Sequence, residues 1–310
     1  QALERLAIIA PGAPSCSLER VRDIRRQFGE VLAASAPDWE IPEMRMEPGA
    51  PLQVAYISAH FDRPAYLGPV WGLINQHDRA RVAIHLMADA PVAGAFSGYE
   101  NHPEDVLVDV SEFNDLEIVN YIRSRKIDLL VDLSGYSHPK RLSLYARPPA
   151  PRVATWFNMY ATSGLPGVDY IIGDDAVVRP DEEHCYTEQV LRLPLSYLSF
   201  QGWNDRPAPS APPCISGDVF TFGSLVSMYK LTPPLLDTWA EILRAAPRAR
   251  LLLGNSCLDP VDNRAWLLER FAERGIDAAR IELRGSAPHA EFLRYYDGID
   301  VALDAFPYSG

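Results

Sequence analysis

Apolar positions along the chain follow two alternating rhythms. Behind Ser17, a residue suited to cap a helix, Val21, Ile24, Phe28, Val31 and Leu32 recur at helical spacing and predict a helix to about Ser35. Residues 1–48 therefore read as a helical N-terminal segment, separate from the remainder of the chain. Pro37, Pro42, Pro48, Gly49 and Pro51 interrupt all regularity, and a compact unit begins near Leu52. Short β-branched or aromatic runs then predict strands over 53–57, 81–86, 106–110, 127–133, 152–157 and 170–172, with helical spacing over 66–75 and 115–125. Strands separated by helices of about ten residues imply right-handed βαβ crossovers and a parallel sheet.

The proline-rich stretch 201–218 reads as a linker. Beyond it lies a second series: strands over 219–222, 250–253, 280–283 and 301–303, and helices over 233–246, 263–274 and 290–296. The fold class expected is α/β, with Rossmann-like units at 49–200 and 219–310 facing a cleft, preceded by the short helical segment.

Composition narrows the function classes. Of 310 residues, 47% are hydrophobic and 23% charged, which excludes a mainly disordered chain. A net charge of −12 argues against a protein that grips a nucleic-acid backbone, yet leaves room for a local basic site. No run approaches the ~20 apolar residues of a membrane span, and the N-terminus lacks the basic flank of a signal peptide. The four cysteines, Cys16, Cys185, Cys214 and Cys257, are scattered and form no C-x-x-C pair. Reduced thiols and a cytoplasmic location are the expectation.

The segment 220–243 carries the most chemistry. Thr232 stands at an N-cap position and Pro233 at the first helical position, with Leu235, Leu236, Trp239, Ile242 and Leu243 as the buried stripe. The preceding loop then brings backbone donors and Lys230 to the positive end of a helix, at the C-terminal edge of a parallel sheet, where anions bind. Asp174-Asp175 and Asp181-Glu-Glu-His184 invite a metal reading, but their spacing matches no defined cage. They read as solvated acidic loops, and no metal site is expected.

Several motifs resemble one family in order. Tyr229-Lys-Leu-Thr-Pro with Trp239-Ala-Glu-Ile-Leu243 is similar to the start of the second catalytic domain of the O-GlcNAc transferase-like enzymes, glycosyltransferase family 41. Arg147-Pro-Pro-Ala-Pro-Arg-Val-Ala-Thr-Trp156 resembles that family's R-P-A-P-x-Q-x-x-W run. Thr162-Ser-Gly164 with Val168-Asp-Tyr-Ile-Ile-Gly-Asp174 resembles T-S-G…D-Y-x-x-x-D, and Tyr186-Thr-Glu188 with Leu191-Arg-Leu-Pro194 resembles Y-S-E…L-x-x-P. Asp300-Val-Ala-Leu-Asp-Ala-Phe-Pro-Tyr-Ser-Gly310 resembles D-x-x-L-D-x-x-P-Y-N-G.

The resemblance implies a two-Rossmann enzyme of the GT-B type. Such an enzyme moves GlcNAc from UDP-GlcNAc to Ser or Thr of acceptor proteins, inverting the anomeric centre and requiring no metal or other cofactor. It implies that Lys230 meets the charge developing on the departing diphosphate. Ser227 and Tyr229 then sit beside the donor, and Ala287, His289 and Phe292 wall the uracil. Thr162 and Ser163 form a loop on the sugar and phosphate side, while Tyr136 and His138 approach the acceptor. The chain departs from the family at Ser58-Ala-His-Phe-Asp-Arg-Pro64, where the usual F-x-x-H is missing; His60 and Asp62 stand as the alternatives for a general base. An Asn-directed N-glucosyltransferase, a UDP-sugar-binding scaffold protein and a UDP-sugar epimerase are the competing readings. The missing initiator Met and the stop at Pro307-Tyr-Ser-Gly310 imply a fragment of a longer protein, with a helical-repeat region before it and an incomplete second unit.

Overall fold

The computed structural model describes residues 1–44, 49–91, 96, 98–158, 160–200, 207–217 and 219–306. Pro307-Tyr-Ser-Gly310 of the last motif, and residues 201–206 and 218 of the proline-rich stretch, lie outside them. The chain divides into two units, Gln1–Pro11 with Ser15–Trp203, and Gly12–Pro14 with Asn204–Gly310.

The first unit opens with α1 (Ala2–Ile9) and α2 (Leu18–Ser35). Ser17 caps α2, its hydroxyl accepting from the Arg20 N–H at 3.3 Å. Next come β1 (Leu52–Ser58), α3 (Pro64–Gln76), β2 (Val82–Ala88), β3 (Val106–Asp109), α4 (Asp115–Ser124), β4 (Leu129–Asp132), β5 (Arg152–Trp156), β6 (Tyr170–Gly173) and β7 (Gln189–Arg192). A capping box of Asn114 and Glu117 starts α4. All seven strands run parallel in the order β3-β2-β1-β4-β5-β6-β7. In the centre, Val54 pairs with Ile84 on β2 and with Leu129 on β4.

The side-chain period of two splits β1 between two cores. Ala55 and Ile57 join Val21, Ile24 and Phe28 of α2 and Ile118 and Ile122 of α4. Val54 and Tyr56 join Leu67, Val70, Trp71 and Ile74 of α3. A parallel sheet covered on both faces results, as its continuous apolar strands require.

The structure corrects three expectations here. The N-terminal helices are no separate segment, because their apolar stripe is part of the sheet's own core. Val31, placed in that stripe, is instead 54% exposed. Strand β7 was not foreseen because only Val190 of its four residues is buried, too little to produce a pattern.

The second unit holds β8 (Thr221–Ser224), α5 (Pro233–Ala245), β9 (Arg250–Gly254), α6 (Val261–Ala272), β10 (Ile281–Arg284), α7 (His289–Leu293) and β11 (Val301–Ala302). Its sheet is also parallel, ordered β10-β9-β8-β11. Leu235, Leu236, Trp239 and Leu243 of α5 pack on Leu251 and Leu253 of β9 and on Leu267 and Phe271 of α6.

One contact fixes α2 on the first unit. A Cβ at Gly29 would fall inside contact distance of the Gly164 carbonyl oxygen. A Cβ at Gly164 would overlap the backbone of Arg25 and Arg26, and Gly164 also holds φ at +65°. Only backbone fits against backbone there. Gly29→Ala is expected to cost about 1–3 kcal/mol, the usual size of an overpacking strain. A urea midpoint lowered with unchanged slope will show it; an unchanged midpoint refutes the constraint.

Candidate active site

In each sheet the winding reverses once, and the loops after the two strands at the reversal part in opposite directions. Such a point is where open α/β sheets bind their ligands. In the first unit it lies between β1 and β4, in the second between β8 and β11. The loops after these four strands contain His60, Tyr136, Ser137 and His138 in the first unit and Ser227 and Lys230 in the second.

The first crevice is organised around the Ser137 hydroxyl. That oxygen lies 2.5 Å from the Ser134 carbonyl, which can only accept, so the hydroxyl hydrogen points there. Asn158 Nδ2 then donates to it at 2.7 Å. Tyr66 OH and His60 Nε2 lie 3.0 and 3.1 Å away, and because the oxygen has two lone pairs, one of these two at most joins Asn158 as a donor to it. A hydrogen on Nε2 can bond to this oxygen, whereas a hydrogen on Nδ1 would be a buried donor with no hydrogen-bond partner among the described residues. The Nε2–H tautomer is therefore favoured, with Nδ1 as a bare, buried nitrogen. The Tyr66 ring meets the imidazole edge-on at 4.3 Å. Burial first, then Arg63 and His138, hold His60 below the ordinary histidine range. At neutral pH it is an uncharged imidazole with a free lone pair, the form a general base requires.

Asp132, at the end of β4, shapes this loop by accepting from the N–H groups of Ser134 and Gly135 at 2.9 and 3.0 Å. Burial pushes its carboxyl up to about 6. His138 Nε2 lies 3.2 Å from Asp89 Oδ2 without a directed hydrogen bond, and burial holds His138 below the ordinary histidine range. Asp89 is clamped by Arg141 through both oxygens, at 2.5 and 2.7 Å. Asp62 is exposed and borders a small pocket with Ser58, Ala88 and Ala90 at the ends of β1 and β2, so the Ser137 network is built without it.

Three expected contact residues turn inward instead. Thr162 and Ser163 are fully buried. Thr162 donates to Glu188 at 2.6 Å, and both the N–H and the hydroxyl of Ser163 bond to Glu188. Tyr136 donates its hydroxyl to the Ser163 carbonyl at 2.7 Å, with the Arg25 guanidinium 4.0 Å above its ring. Arg25 in turn donates to the carbonyls of Ala7, Tyr160 and Thr162. In this structure the side chains of Thr162, Ser163 and Tyr136 are engaged in hydrogen bonds within the first unit. Arg25 gives no apolar signal in the sequence because it is a buried charge, and Glu188, although it closes the Tyr186-Thr-Glu188 motif, carries no sign there of the partners it holds.

The second crevice is a cavity of about 410 Å³, within the ~300–1,000 Å³ of small-molecule sites. Ser224 to Ser227, Lys230, Tyr296 and Ala302 to Asp304 line it. The β8 end is tied to the β11 end by Ser224, which donates to the Leu303 carbonyl at 2.8 Å, and the loop is pinned where Asn255 donates to the Val226 carbonyl at 3.0 Å. Burial lowers the Lys230 ammonium from its ordinary value, opposed by the charge of Asp304. Tyr296 is raised by burial and by the same carboxylate. Asp304 is the second aspartate of the D-x-x-L-D motif, with no role assigned to it from the sequence, and Tyr296 showed only as the last residue of a predicted helix.

The helix end contributes less than expected. Thr232 makes no side-chain cap bond, and prolines at both first positions of α5 remove two N–H donors. Cation chemistry at this edge therefore rests on Lys230. Of the residues assigned to the donor, Ser227 and Lys230 line the cavity, while Tyr229 stands 69% exposed with the Lys230 ammonium 5.9 Å from its ring. Ala287 and Phe292 are half-buried and His289 is exposed, and none of the three lines it. Their segment reaches the cavity through Tyr296. A further hollow of about 370 Å³, lined in part by Ile41, Ile122 and Asp128, opens at the opposite end of β4, away from the edge where such sheets bind substrates.

Residues 27–202 match the family model of glycosyl transferase family 41, and the chain belongs to that family. A rice protein (Oryza sativa subsp. japonica) named as a probable UDP-N-acetylglucosamine–peptide N-acetylglucosaminyltransferase SPINDLY is 33% identical over 302 residues, covering 94% of this chain and 32% of that protein. The barley protein of the same name (Hordeum vulgare) is 28% identical over 307 residues, again covering 94% of this chain and 32% of its own length. Among solved structures, a mutant of the Thermobaculum terrenum O-GlcNAc transferase matches all of this chain and 59% of its own, with a TM-score of 0.90 at 28% identity. The chain thus spans about a third of the curated relatives it matches. The fold is α/β of the GT-B type, with N-terminal helices.

The His60 environment makes a measurable demand. As pH falls below ~6.5, the unfolded chain takes up a proton that the folded imidazole refuses, so this residue withdraws stability on acidification. Asp132 acts oppositely, because its folded carboxyl gains a proton first. Imidazole NMR is expected to show His60 as the Nε2–H tautomer, titrating below ~6.5; an ordinary midpoint or the Nδ1–H tautomer would contradict the network.

Proposed function

We propose that the chain is catalytic machinery of an inverting, UDP-sugar-dependent protein glycosyltransferase that moves GlcNAc from UDP-GlcNAc to Ser or Thr. Membership of family 41 and the activities named for the SPINDLY proteins and the Thermobaculum enzyme support this reading. The observation that carries it is the cavity at the β8–β11 reversal, in which a half-buried ammonium, Lys230, faces a hollow of nucleotide-ligand size.

Departure of UDP leaves negative charge on the diphosphate, and a cation in a partly desolvated pocket stabilises that charge more in the transition state than in the bound donor. Lys230 fills this role and Ser227 offers a hydroxyl beside it. His60 serves as the base: its Nε2–H is held on Ser137 and its Nδ1 lone pair takes the acceptor proton. Asp62 is set aside for that role, since nothing holds it in place among the described residues.

One observation favours a second reading, a UDP-sugar-binding protein with little transfer activity. The lone pair of His60 is closed off from solvent, and the family's own histidine is missing from this loop.

Two measurements decide. Lys230→Ala is expected to lower UDP affinity about tenfold or more, the scale of a charge-assisted hydrogen bond, by calorimetric titration. Equal affinity removes Lys230 from the role. Labelled UDP-GlcNAc incubated with the full-length protein and a host lysate is expected to modify Ser or Thr, read by mass spectrometry, with transfer lost in His60→Gln. Label on Asn redirects the acceptor. UDP binding without transfer leaves the second reading.

A further inference from the structure

Glu19, His184 and Cys185 converge on one point of the first unit. Glu19 lies in the first turn of α2, whereas His184 and Cys185 end the short helix Pro180–Cys185. His184 Nε2 stands 3.4 Å from Glu19 Oε1 and 3.4 Å from Cys185 Sγ, and one ligand atom of each residue lies within 4.8 Å of the others. The far side of the imidazole is already fixed. His184 Nδ1 lies 2.9 Å from the Asp181 carbonyl, which can only accept, so the ring hydrogen sits on Nδ1. In the neutral ring, Nε2 then presents its lone pair to a carboxylate oxygen. A backbone carbonyl holding the outer nitrogen while the inner one faces a carboxylate and a thiol is how proteins orient a metal-ligating histidine.

The spacing suits one kind of ion. With Zn–N of ~2.0–2.1 Å, Zn–O of ~2.0–2.2 Å and Zn–S of ~2.3 Å, tetrahedral angles put N and O ~3.4 Å apart and N and S ~3.6 Å apart. The observed gaps of 3.4 Å each are within the tolerance expected of a real site. Calcium and magnesium take oxygen ligands and are excluded by a set of one imidazole, one thiolate and one carboxylate. The side chains of His184 and Glu19 are 61% and 50% exposed, which leaves a fourth position open to water. The turn is also docked before any ion arrives, because Arg22 on α2 donates to the His184 carbonyl at 2.9 Å.

We propose that Glu19, His184 and Cys185 form a zinc site, completed by water, that staples α2 to the 180–185 turn. On binding, the Cys185 S–H bond gives its proton to solvent and a zinc–thiolate bond replaces it, with no change of oxidation state. The acidic loop alone matches no cage because its third ligand comes from a helix 165 residues earlier in the chain.

Metal-free full chain is titrated with Co²⁺ as a spectroscopic stand-in, and then with Zn²⁺ against a chromogenic chelator. One equivalent is expected, with a near-ultraviolet thiolate-to-cobalt band that Cys185→Ser abolishes. His184→Gln and Glu19→Gln are expected to weaken binding by at least the ~10–100-fold that losing an outer-shell partner costs. Cys185 is buried, so His184→Gln, at an exposed position, tests the site independently if the serine variant does not fold. Absence of a thiolate band in the wild type overturns the proposal. So does a band that survives in both variants, which would report Cys16, Cys214 or Cys257 instead.

Discussion

Parallel pairing is the constraint on which every other feature depends. A parallel strand needs a crossover, a crossover has one favoured hand, and a sheet that grows both ways from its first strand must reverse its winding there. Both sheets obey this, at β1 in one and at β8 in the other. At the reversal no crossover covers the strand ends, and the loops there are free to carry polar side chains. His60 and Ser137 sit at one reversal, Lys230 and Asp304 at the other. The chemistry is placed by topology before any individual residue is chosen.

What surrounds each reversal differs in kind. The first crevice is a hydrogen-bonded lattice in which an asparagine, a tyrosine and a histidine gather around one serine hydroxyl. The second is a hollow whose electrostatics come from one cation and one carboxylate, Lys230 and Asp304, with the neutral phenol of Tyr296 beside them. A lattice of that sort gives directional control over a proton, whereas a hollow with a cation tolerates a large anionic ligand. The division suits a reaction in which one substrate must be aligned and the other mainly neutralised.

Most of the fold was legible in the sequence because its signals are apolar and local. The β1 run, the Ser17 cap and the α5 stripe each lie within a few residues and read directly as structure. The crevices were legible only through residues that follow a predicted strand, as Lys230 and His60 do. Thr162, Ser163 and Tyr136 were placed on a ligand because their motif matches the family, but a motif does not show which way a side chain points. Their orientation depends on Arg25 and Glu188, buried charges from distant parts of the chain. Glu19 escaped for the same reason, since no local window contains both it and His184. Long-range pairing of polar groups is the information that a sequence read by itself does not supply.

The bare backbone contact between Gly29 and Gly164 has a mechanical meaning. Where side chains separate two elements, rotamers yield and a displacement is absorbed. Here the helix backbone rests directly on the loop that contains Thr162 and Ser163, with nothing compressible between them. A push or twist on α2 bears directly on residues 162–164, and through Glu188 on the start of β7. α2 and that loop move as one stiff part, so load applied to the helix is felt inside the first unit.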